Sequence, residues 1–339
     1  MFKEYLGRVA EGELLSRQEA QLAMELIMTG QTSAAQLGAF LTALRMRGET
    51  GAEIAGFAAA MRNHALSMPR DGRQIIDTCG TGGDRKGTFN VSTTVAFVLA
   101  GAGINVAKHG NRGVSSSCGS ADVLEALGVN ISLSPEAAAQ ALREINLTFL
   151  FAPCFHQAMK HAAPTRKDLG FRTVFNVLGP LSNPAQATCQ IIGVFNPNLV
   201  ETIAEALVEL GIGRAMVVSS LDGMDEISTV VPTRVAEVRG NTIKSYEIKP
   251  AEYGFSGHRS ADYLGGTPAD NAKVLRDILQ GDRGPKRDIV LINAAAGLVV
   301  ADKAGSLQEG LALAAESIDS GAALAKLEAL VDFSRSCVM

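Results

Sequence analysis

The side chains best suited to chemistry gather between Asp77 and Asp122, where the chain reads DTCGTGGDRKGTFNVSTTVAFVLAGAGINVAKHGNRGVSSSCGSAD. Two glycine-rich loops, Gly80–Thr88 and Gly110–Gly119, flank one apolar segment, Val91–Ala102. Glycine lets backbone N–H groups approach a ligand closely, and a helix that follows such a loop turns its first amides towards an anion. Cations and hydrogen-bonding side chains stand among the glycines: Lys86, Thr88, Asn90, Ser92, Thr93, Lys108, His109, Asn111, Arg112, Ser115 and Ser116. A substrate with several phosphates needs donors of this kind from two loops at once.

Each motif also has a plainer reading. Gly80-Thr81-Gly82-Gly83-Asp84 is neither a Walker A loop, lacking GK[ST], nor a dinucleotide fingerprint, lacking GxGxxG; alone it is equally a structural turn. Asn90-Val91-Ser92-Thr93 reads as a helix cap or as a phosphate cradle. The two loops together favour phosphate. Lys108-His109-Gly110-Asn111-Arg112 concentrates more donors at a strand end than a solvated loop requires. His109 as a general base rests on its position alone.

Asp225-Glu226, in LDGMDEIS, is a solvated acidic turn by default. Beside a phosphate site, the same pair suits magnesium held by carboxylates, water and phosphate oxygens. His156 and His161 are five apart and do not share a helical face, so no metal pair is expected there; His64 and His258 have no cluster around them.

The elements that must hold these loops follow from the apolar pattern. Short strands are expected at Ile75–Asp77, Asn105–Lys108, Asn130–Ser132, Thr148–Phe151, Gln190–Phe195 and Arg214–Ser219. Helices are expected between them at Val91–Ala102, Gly119–Leu127, Pro135–Ile145 and Asn198–Leu210. Ser134-Pro135 is a cap followed by proline at the first helical position. Such alternation predicts an α/β fold with a mostly parallel sheet covered on both faces, its ligands at the carboxyl ends of the strands. Thr233–Pro250 reads as a hairpin turning at Gly240-Asn241, and Ala269–Phe333 as helical.

Ahead of that alternation the chain is helical only. Ser16…Glu19, Ser33…Gln36 and Thr50…Glu53 are capping-box patterns, and Gly30 and Gly48 stand where helices should stop. Leu37, Phe40, Leu41 and Leu44 fall at helical spacing, as do Ile54, Phe57, Ala58 and Met61. Residues 1–66 are thus expected to form a small helical domain and 74–339 a larger α/β domain, with Ser67–Arg73 as linker. The proline-bounded block Ala163–Pro184, APTRKDLGFRTVFNVLGPLSNP, reads as two short helices returning towards the helical layer. The layer's apolar faces exceed what so short a segment can hide alone; they are expected to pack on the α/β domain or on a second copy of the layer, and a homodimer through it is expected.

The whole chain sets the outer bounds. It has 339 residues, 47% of them apolar and 19% charged, as expected of a globular protein of one or two domains. A net charge of −4 and the absence of tryptophan weigh against a nucleic-acid partner. No apolar run is long enough for a membrane span, and the charged start MFKEYLGRVAEGE is unlike a signal peptide, so cytoplasm is expected. Five cysteines with no CxxC pair give no disulfide framework or zinc site, and nothing marks Cys79 as reactive.

GTGGD, NVST, KHGNRGVSSSCGSADVLEALG, APTRKDLGFRTVFNVLGPLSNP and GMDEIS, in this order, resemble the anthranilate phosphoribosyltransferase family. The likeness runs over nearly the whole chain, including NAAAGLVVAD at Asn293–Asp302. It implies a helical domain joined to an α/β domain of the nucleoside phosphorylase/phosphoribosyltransferase type, usually as a homodimer. It implies transfer of the phosphoribosyl group of 5-phosphoribosyl 1-diphosphate (PRPP) to the amine of anthranilate, with release of pyrophosphate, in tryptophan biosynthesis. PRPP would lie on Gly80, Gly83, Asp84, Thr88, Asn90, Val91, Ser92 and Thr93, and on Lys108, His109, Gly110, Asn111, Arg112, Gly113, Val114, Ser115, Ser116 and Ser120. Anthranilate would meet Gly80, Asn111 and Arg166, and magnesium would meet Ser92, Asp225 and Glu226. Gln157 departs from the family, which commonly has proline there; a local loop change without loss of activity is expected. No catalytic base is nominated. The competing readings are a pyrimidine nucleoside phosphorylase, which also has a glycine loop near a KH pair, and a non-catalytic relative that binds nucleic acid.

Overall fold

Helix boundaries at the start of the chain are set by side chains that close on their own backbone. In the computed structural model, which describes residues 1–113 and 117–337, helix α1 (Phe2–Ala10) precedes α2 (Arg17–Met28), α3 (Ala34–Arg47) and α4 (Gly51–Asn63). Ser16 with Glu19, Ser33 with Gln36, and Thr50 with Glu53 each form a complete capping box at the head of α2, α3 and α4. Such a cap contributes about 1 kcal/mol by satisfying amides the helix leaves open. Glu53 does more than cap: it is fully buried, takes the amide of Leu15 at 2.9 Å and pairs with Arg47 at 2.6 Å.

The rest alternates as the pattern predicts. β1 (Ile76–Asp77), α5 (Val91–Gly101), β2 (Val106–Gly110), α6 (Ser120–Ala126), α7 (Pro135–Ile145) and β3 (Leu147–Phe151) come first. Short helices α8 (Ala152–Phe155), α9 (Ala163–Leu169) and α10 (Phe175–Leu181) follow. Then come β4 (Cys189–Gly193), α11 (Val200–Glu209), β5 (Arg214–Ser220) and the hairpin β6 (Thr233–Arg239) and β7 (Thr242–Ile248). Helices α12 (Pro268–Leu279), α13 (Pro285–Val300), α14 (Leu307–Asp319) and α15 (Ala322–Ser336) end the chain.

Among the described residues these strands make one seven-stranded sheet in the order β3-β2-β1-β4-β5-β6-β7. It is parallel from β3 to β5 and antiparallel beyond. One face packs on α5, α6 and α12–α15; the other carries α11, α10 and the helices of the N-terminal layer in a single apolar cluster. The helical layer therefore shares its core with the sheet. The chain leaves β1 towards β2 in one direction and returns to β4 on the other side, which opens a crevice at the carboxyl ends of β1 and β4.

One expected strand is absent. Asn130–Ser132 has no strand partner: the Asn130 amide donates to Ser334 Oγ at 2.9 Å and the Ser132 amide to Asn130 Oδ1 at 3.1 Å. Val129, Ile131 and Leu133 alternate into the core, which mimics a strand's period, but the backbone is satisfied by side chains instead.

Candidate active site

The first glycine loop leaves β1 and lies against the loops after β4 and β5. The amide of Gly82 donates to Asp225 Oδ2 at 2.8 Å, and the amide of Thr81 to the carbonyl of Gly193 at 2.8 Å. Gly193 is fixed by space: a Cβ there would lie 1.6 Å from the carbonyl oxygen of Asp225. The acidic pair is thus wedged beneath Gly80–Asp84, as its place after a strand required.

Burial drives the two acids upward. Asp225 is pushed up to about 7, first by loss of water and then by the nearby charge of Asp84. Glu226 is held well above its ordinary value by burial and by Asp225, with Lys108 opposing. Asp84 Oδ2 is buried with no hydrogen-bond partner. Among the described residues no group of three or more His, Cys, Asp and Glu side chains is arranged to hold a metal ion, but Asp84, Asp225 and Glu226 act on one another as like charges, a crowding that a divalent cation bound with substrate oxygens would offset. Ser92 joins them: its backbone supports Glu226, and its Oγ accepts from Lys108 Nζ at 3.4 Å. Ser92, Asp225 and Glu226, linked in the sequence only by resemblance, are brought together.

Beyond Thr88, the residues Val91 and Thr93 lie in the buried first turn of α5, and the Oγ1 of Thr93 has no partner. Asn90 is used internally. Its Nδ2 donates to the carbonyl of Cys118 at 3.3 Å, and its Oδ1 accepts from Asn271 Nδ2 at 3.0 Å. Thr88 makes an isolated bridge with Leu264, so the segment after β7 lies along the first loop.

The second loop leaves the end of β2, where Lys108 and His109 are almost fully buried and Gly110 closes the strand. Asn111 accepts the Ala121 amide on its carbonyl at 3.2 Å, and Ser120 Oγ donates to the same oxygen at 3.3 Å. Arg112 is turned to α6, pairing with Asp122 at 3.1 Å and Glu125 at 2.9 Å. Asp122 also takes the amides of Gly113 and Gly119, both at 2.8 Å, closing the loop at its base. Val114, Ser115 and Ser116 lie outside the described residues.

Arg166 sits in α9 with its guanidinium 5.0 Å from the ring centre of Phe175. Burial pulls its pKa below the ordinary arginine range, and among the described residues no carboxylate pairs with it. Asp168, two positions on, exerts no resolved pull on it. Near the second loop, the rings of His109 and His156 lie 5.1 Å apart. His109 Nδ1 donates to the carbonyl of Gly179 at 3.0 Å, which leaves Nε2 as an acceptor; the Nε2 of each ring is buried without a partner. Burial pulls His109 down to about 3 and His156 to about 4, so both are neutral near pH 7. Gln157, the departure noted above, begins a short 3₁₀ turn to His161. Burial pushes the Cys79 thiol up to about 12, which disfavours the reactive thiolate.

Several residues that hold this site give no motif in the sequence. Asp77, fully buried, accepts from the amides of Cys79 at 3.0 Å and His109 at 3.1 Å and from Asn183 Nδ2 at 2.7 Å. The last carbonyls of α10 are each taken by a distant side chain: Gly179 by His109, Pro180 by Gln190 Nε2 at 2.6 Å and Leu181 by Arg62 Nε at 2.7 Å. Asp77 could have been suspected as the last strand residue before a glycine loop; Asn183, Gln190 and Arg62 offer no such signal.

Known proteins share this architecture end to end. Residues 72–324 match the α/β domain of a glycosyl transferase family, and residues 3–65 match that family's helical bundle domain. The anthranilate phosphoribosyltransferase of Moorella thermoacetica is 52% identical over 336 residues, 99% of either chain. The crystal structure of the Thermus thermophilus anthranilate phosphoribosyltransferase superposes with a TM-score of 0.93 at 44% identity, covering 98% of this chain and 99% of that one. The Saccharomyces cerevisiae anthranilate phosphoribosyltransferase, solved in complex with PRPP and Mg, gives 0.90 at 30% identity over 99% of this chain and 98% of that one. With full-length relatives at this identity and the same two-part fold, the chain belongs to the anthranilate phosphoribosyltransferase family.

Proposed function

We propose that this chain transfers the phosphoribosyl group of PRPP to the amine of anthranilate, giving N-(5-phosphoribosyl)anthranilate and pyrophosphate, as a step of tryptophan biosynthesis. The observation that carries the reading is the wedge of Asp225 and Glu226 under the first glycine loop, with Gly82 on Asp225 and Lys108 on Ser92. PRPP is assigned to Gly80, Gly83, Asp84, Thr88 and Asn90–Thr93, with Lys108–Gly113, the loop beyond it and Ser120 around the other end. Asn90, spent on Cys118 and Asn271, would act by shaping the α5 start. Arg112, spent on α6, would act through its backbone and by holding the second loop. Anthranilate is assigned to Gly80, Asn111 and Arg166.

The carbon under attack is already activated by its diphosphate. The C1–O bond breaks with its electron pair leaving on the diphosphate, the amine lone pair forms the new C1–N bond, and the resulting ammonium then gives its proton to water. Charge grows on the departing oxygens, so fixed donors aimed there lower the barrier selectively. Loop amides and Lys108 supply such donors. Ser92, Asp225 and Glu226 would hold Mg2+, which when bound screens the diphosphate charge. The neutral amine needs alignment more than prior deprotonation, and Arg166 with Asn111 would provide it. His109 at about 3 is too weak a base to keep the proton.

The domain limits 1–66 and 74–339, with the insertion 163–184 attached to the helical part, belong to the same proposal, as do a homodimer through the helical layer and a cytoplasmic place of work. No helix among the described residues is long and apolar enough to cross a membrane. The test is to mix the protein with PRPP, Mg2+ and anthranilate and follow anthranilate fluorescence, which should fall. A nucleoside phosphorylase would instead consume inorganic phosphate and a nucleoside, and a nucleic-acid binder would consume neither.

A further inference from the structure

Arg172, in the block Ala163–Pro184, has no role among those given above, yet it stands over the first glycine loop. A Cβ built on Gly83 would lie 3.5 Å from both its Nε and an Nη, so the guanidinium occupies the space directly over that glycine. Gly83 has φ 78°, a conformation that residues with a Cβ rarely adopt.

Two contacts hold the guanidinium there. Its Cζ lies over the ring of Phe195, 3.9 Å from the centroid, and the Phe195 amide donates to Thr81 Oγ1 at 3.3 Å, so the platform is fastened to the same loop. Arg45 of α3 donates to the carbonyl of Arg172, and its own guanidinium lies 4.9 Å from the ring centre of Phe171. The helical layer therefore fixes the backbone from which this side chain reaches across.

The guanidinium so placed has no acceptor. Among the described residues it makes no ion pair and donates no hydrogen bond. Asp84 in the loop and Asp225 beneath it attract it, while Arg85 and Arg45 crowd it with like charge. Asp225 is already engaged by Gly82. A planar fork with free N–H groups, fixed over a glycine turn and short of negative charge, matches two oxygens of a phosphate group.

We propose that Arg172 is a further substrate contact that holds the diphosphate of PRPP, and later the departing pyrophosphate, over Gly83. This rests on the function proposed above. In the transfer step, the negative charge arriving on the diphosphate as C1–O breaks would be met by Arg172 from outside the loop and by loop amides from within.

The experiment measures binding of inorganic pyrophosphate with Mg2+ to the intact protein by titration calorimetry, then steady-state kinetics with each substrate varied. Arg172→Gln should weaken pyrophosphate about tenfold or more and raise KM for PRPP in parallel, with KM for anthranilate within about twofold. Arg172→Lys should recover part, keeping charge without the fork. Phe195→Leu should weaken pyrophosphate several-fold although the charge remains, because the platform is lost. An unchanged pyrophosphate affinity in Arg172→Gln overturns the assignment, as does a loss confined to anthranilate. A wild type that binds pyrophosphate through Arg172 but does not join PRPP to anthranilate would leave the assignment standing and remove the proposed function.

Discussion

One oxygen of the Asp77 carboxylate accepts the amide of His109 at 3.1 Å and the amide of Cys79 at 3.0 Å, so a single buried side chain sets the spacing between the two glycine loops. Its second oxygen takes Asn183 Nδ2 at 2.7 Å, which adds the insertion after α10 to the same point. In Asp77→Asn, the new NH2 would face the NH2 of Asn183. The variant should lose about 1–3 kcal/mol of stability and raise KM for both substrates together. Asn183→Asp in the same chain should restore part of both. Kinetics unchanged in Asp77→Asn would remove the spacing role.

Arg166→Ala should remove a charge-assisted contact worth roughly 1.5–3 kcal/mol, about a tenfold to hundredfold loss in anthranilate affinity. KM for PRPP should change little, and Arg166→Lys should recover only part of the loss. Weakened PRPP use with anthranilate use intact would contradict the assignment.

Changing both Asp225 and Glu226 to alanine should lower turnover at least about a hundredfold while leaving the protein folded. Stability reflects two opposed effects, the lost Gly82 bond and the relief of crowded buried carboxylates. Titration with Mg2+ should show no binding by the double variant. Wild-type turnover at low magnesium in that variant would sink the metal assignment.

His109 and His156 predict a stability loss in acid. Each has a folded pKa below its unfolded value of 6.5, so the unfolded chain binds more protons and stability falls as pH drops below about 6.5. For His156 the loss is complete near 4 and for His109 near 3, at about 1.4 kcal/mol per pH unit and histidine. Asp77 acts the other way: raised from 3.8 to about 6, it favours the folded state increasingly as pH falls through that window. Tm against pH should therefore be flatter between 6.5 and 4 for His156→Phe than for the wild type. Parallel curves would mean that His156 is not buried neutral.

Met46, 83% exposed on α3, borders a groove shared with Val9, Ala39 and Leu169. If the helical layer forms the dimer contact, Met46→Glu should shift the protein towards monomer in sedimentation velocity. Leu41, which shares the helical stripe seen in the sequence, is unsuitable for this test: it is fully buried within the layer, and a charge there would break the core. A wild type that sediments as a monomer would remove the idea.

Local signals carried most of the fold. Each capping box forms as written because its partners lie three residues apart, and the Gly240-Asn241 turn forms because Arg239 and Thr242 pair directly across it. The loops and the acid pair were visible because glycines, cations and carboxylates are rare in such density. Long-range partners were not visible. Asn130–Ser132 has a strand's alternation, yet its hydrogen bonds go to Ser334 at the far end of the chain. Asp77 meets Asn183 only through the fold, and Arg172 reaches Gly83 only because α3 and Phe195 set its course. Central placement of β1 likewise follows from which faces the helices cover, information spread over the whole chain.

The three captured carbonyls at the end of α10 make that short helix a mechanical joint. Arg62 rivets it to the N-terminal layer, while Gln190 and His109 rivet it to two different strands of the sheet. Any swing of the layer against the sheet must unseat one of these carbonyls or bend elsewhere. Buried carbonyls without donors are costly, so bending should fall on the Ser67–Arg73 linker and on the turn around Gly170. A pair of crystal structures with and without PRPP would show it: if α10 parts from either Arg62 or Gln190 when PRPP is bound, the joint is not rigid and the hinge lies within it.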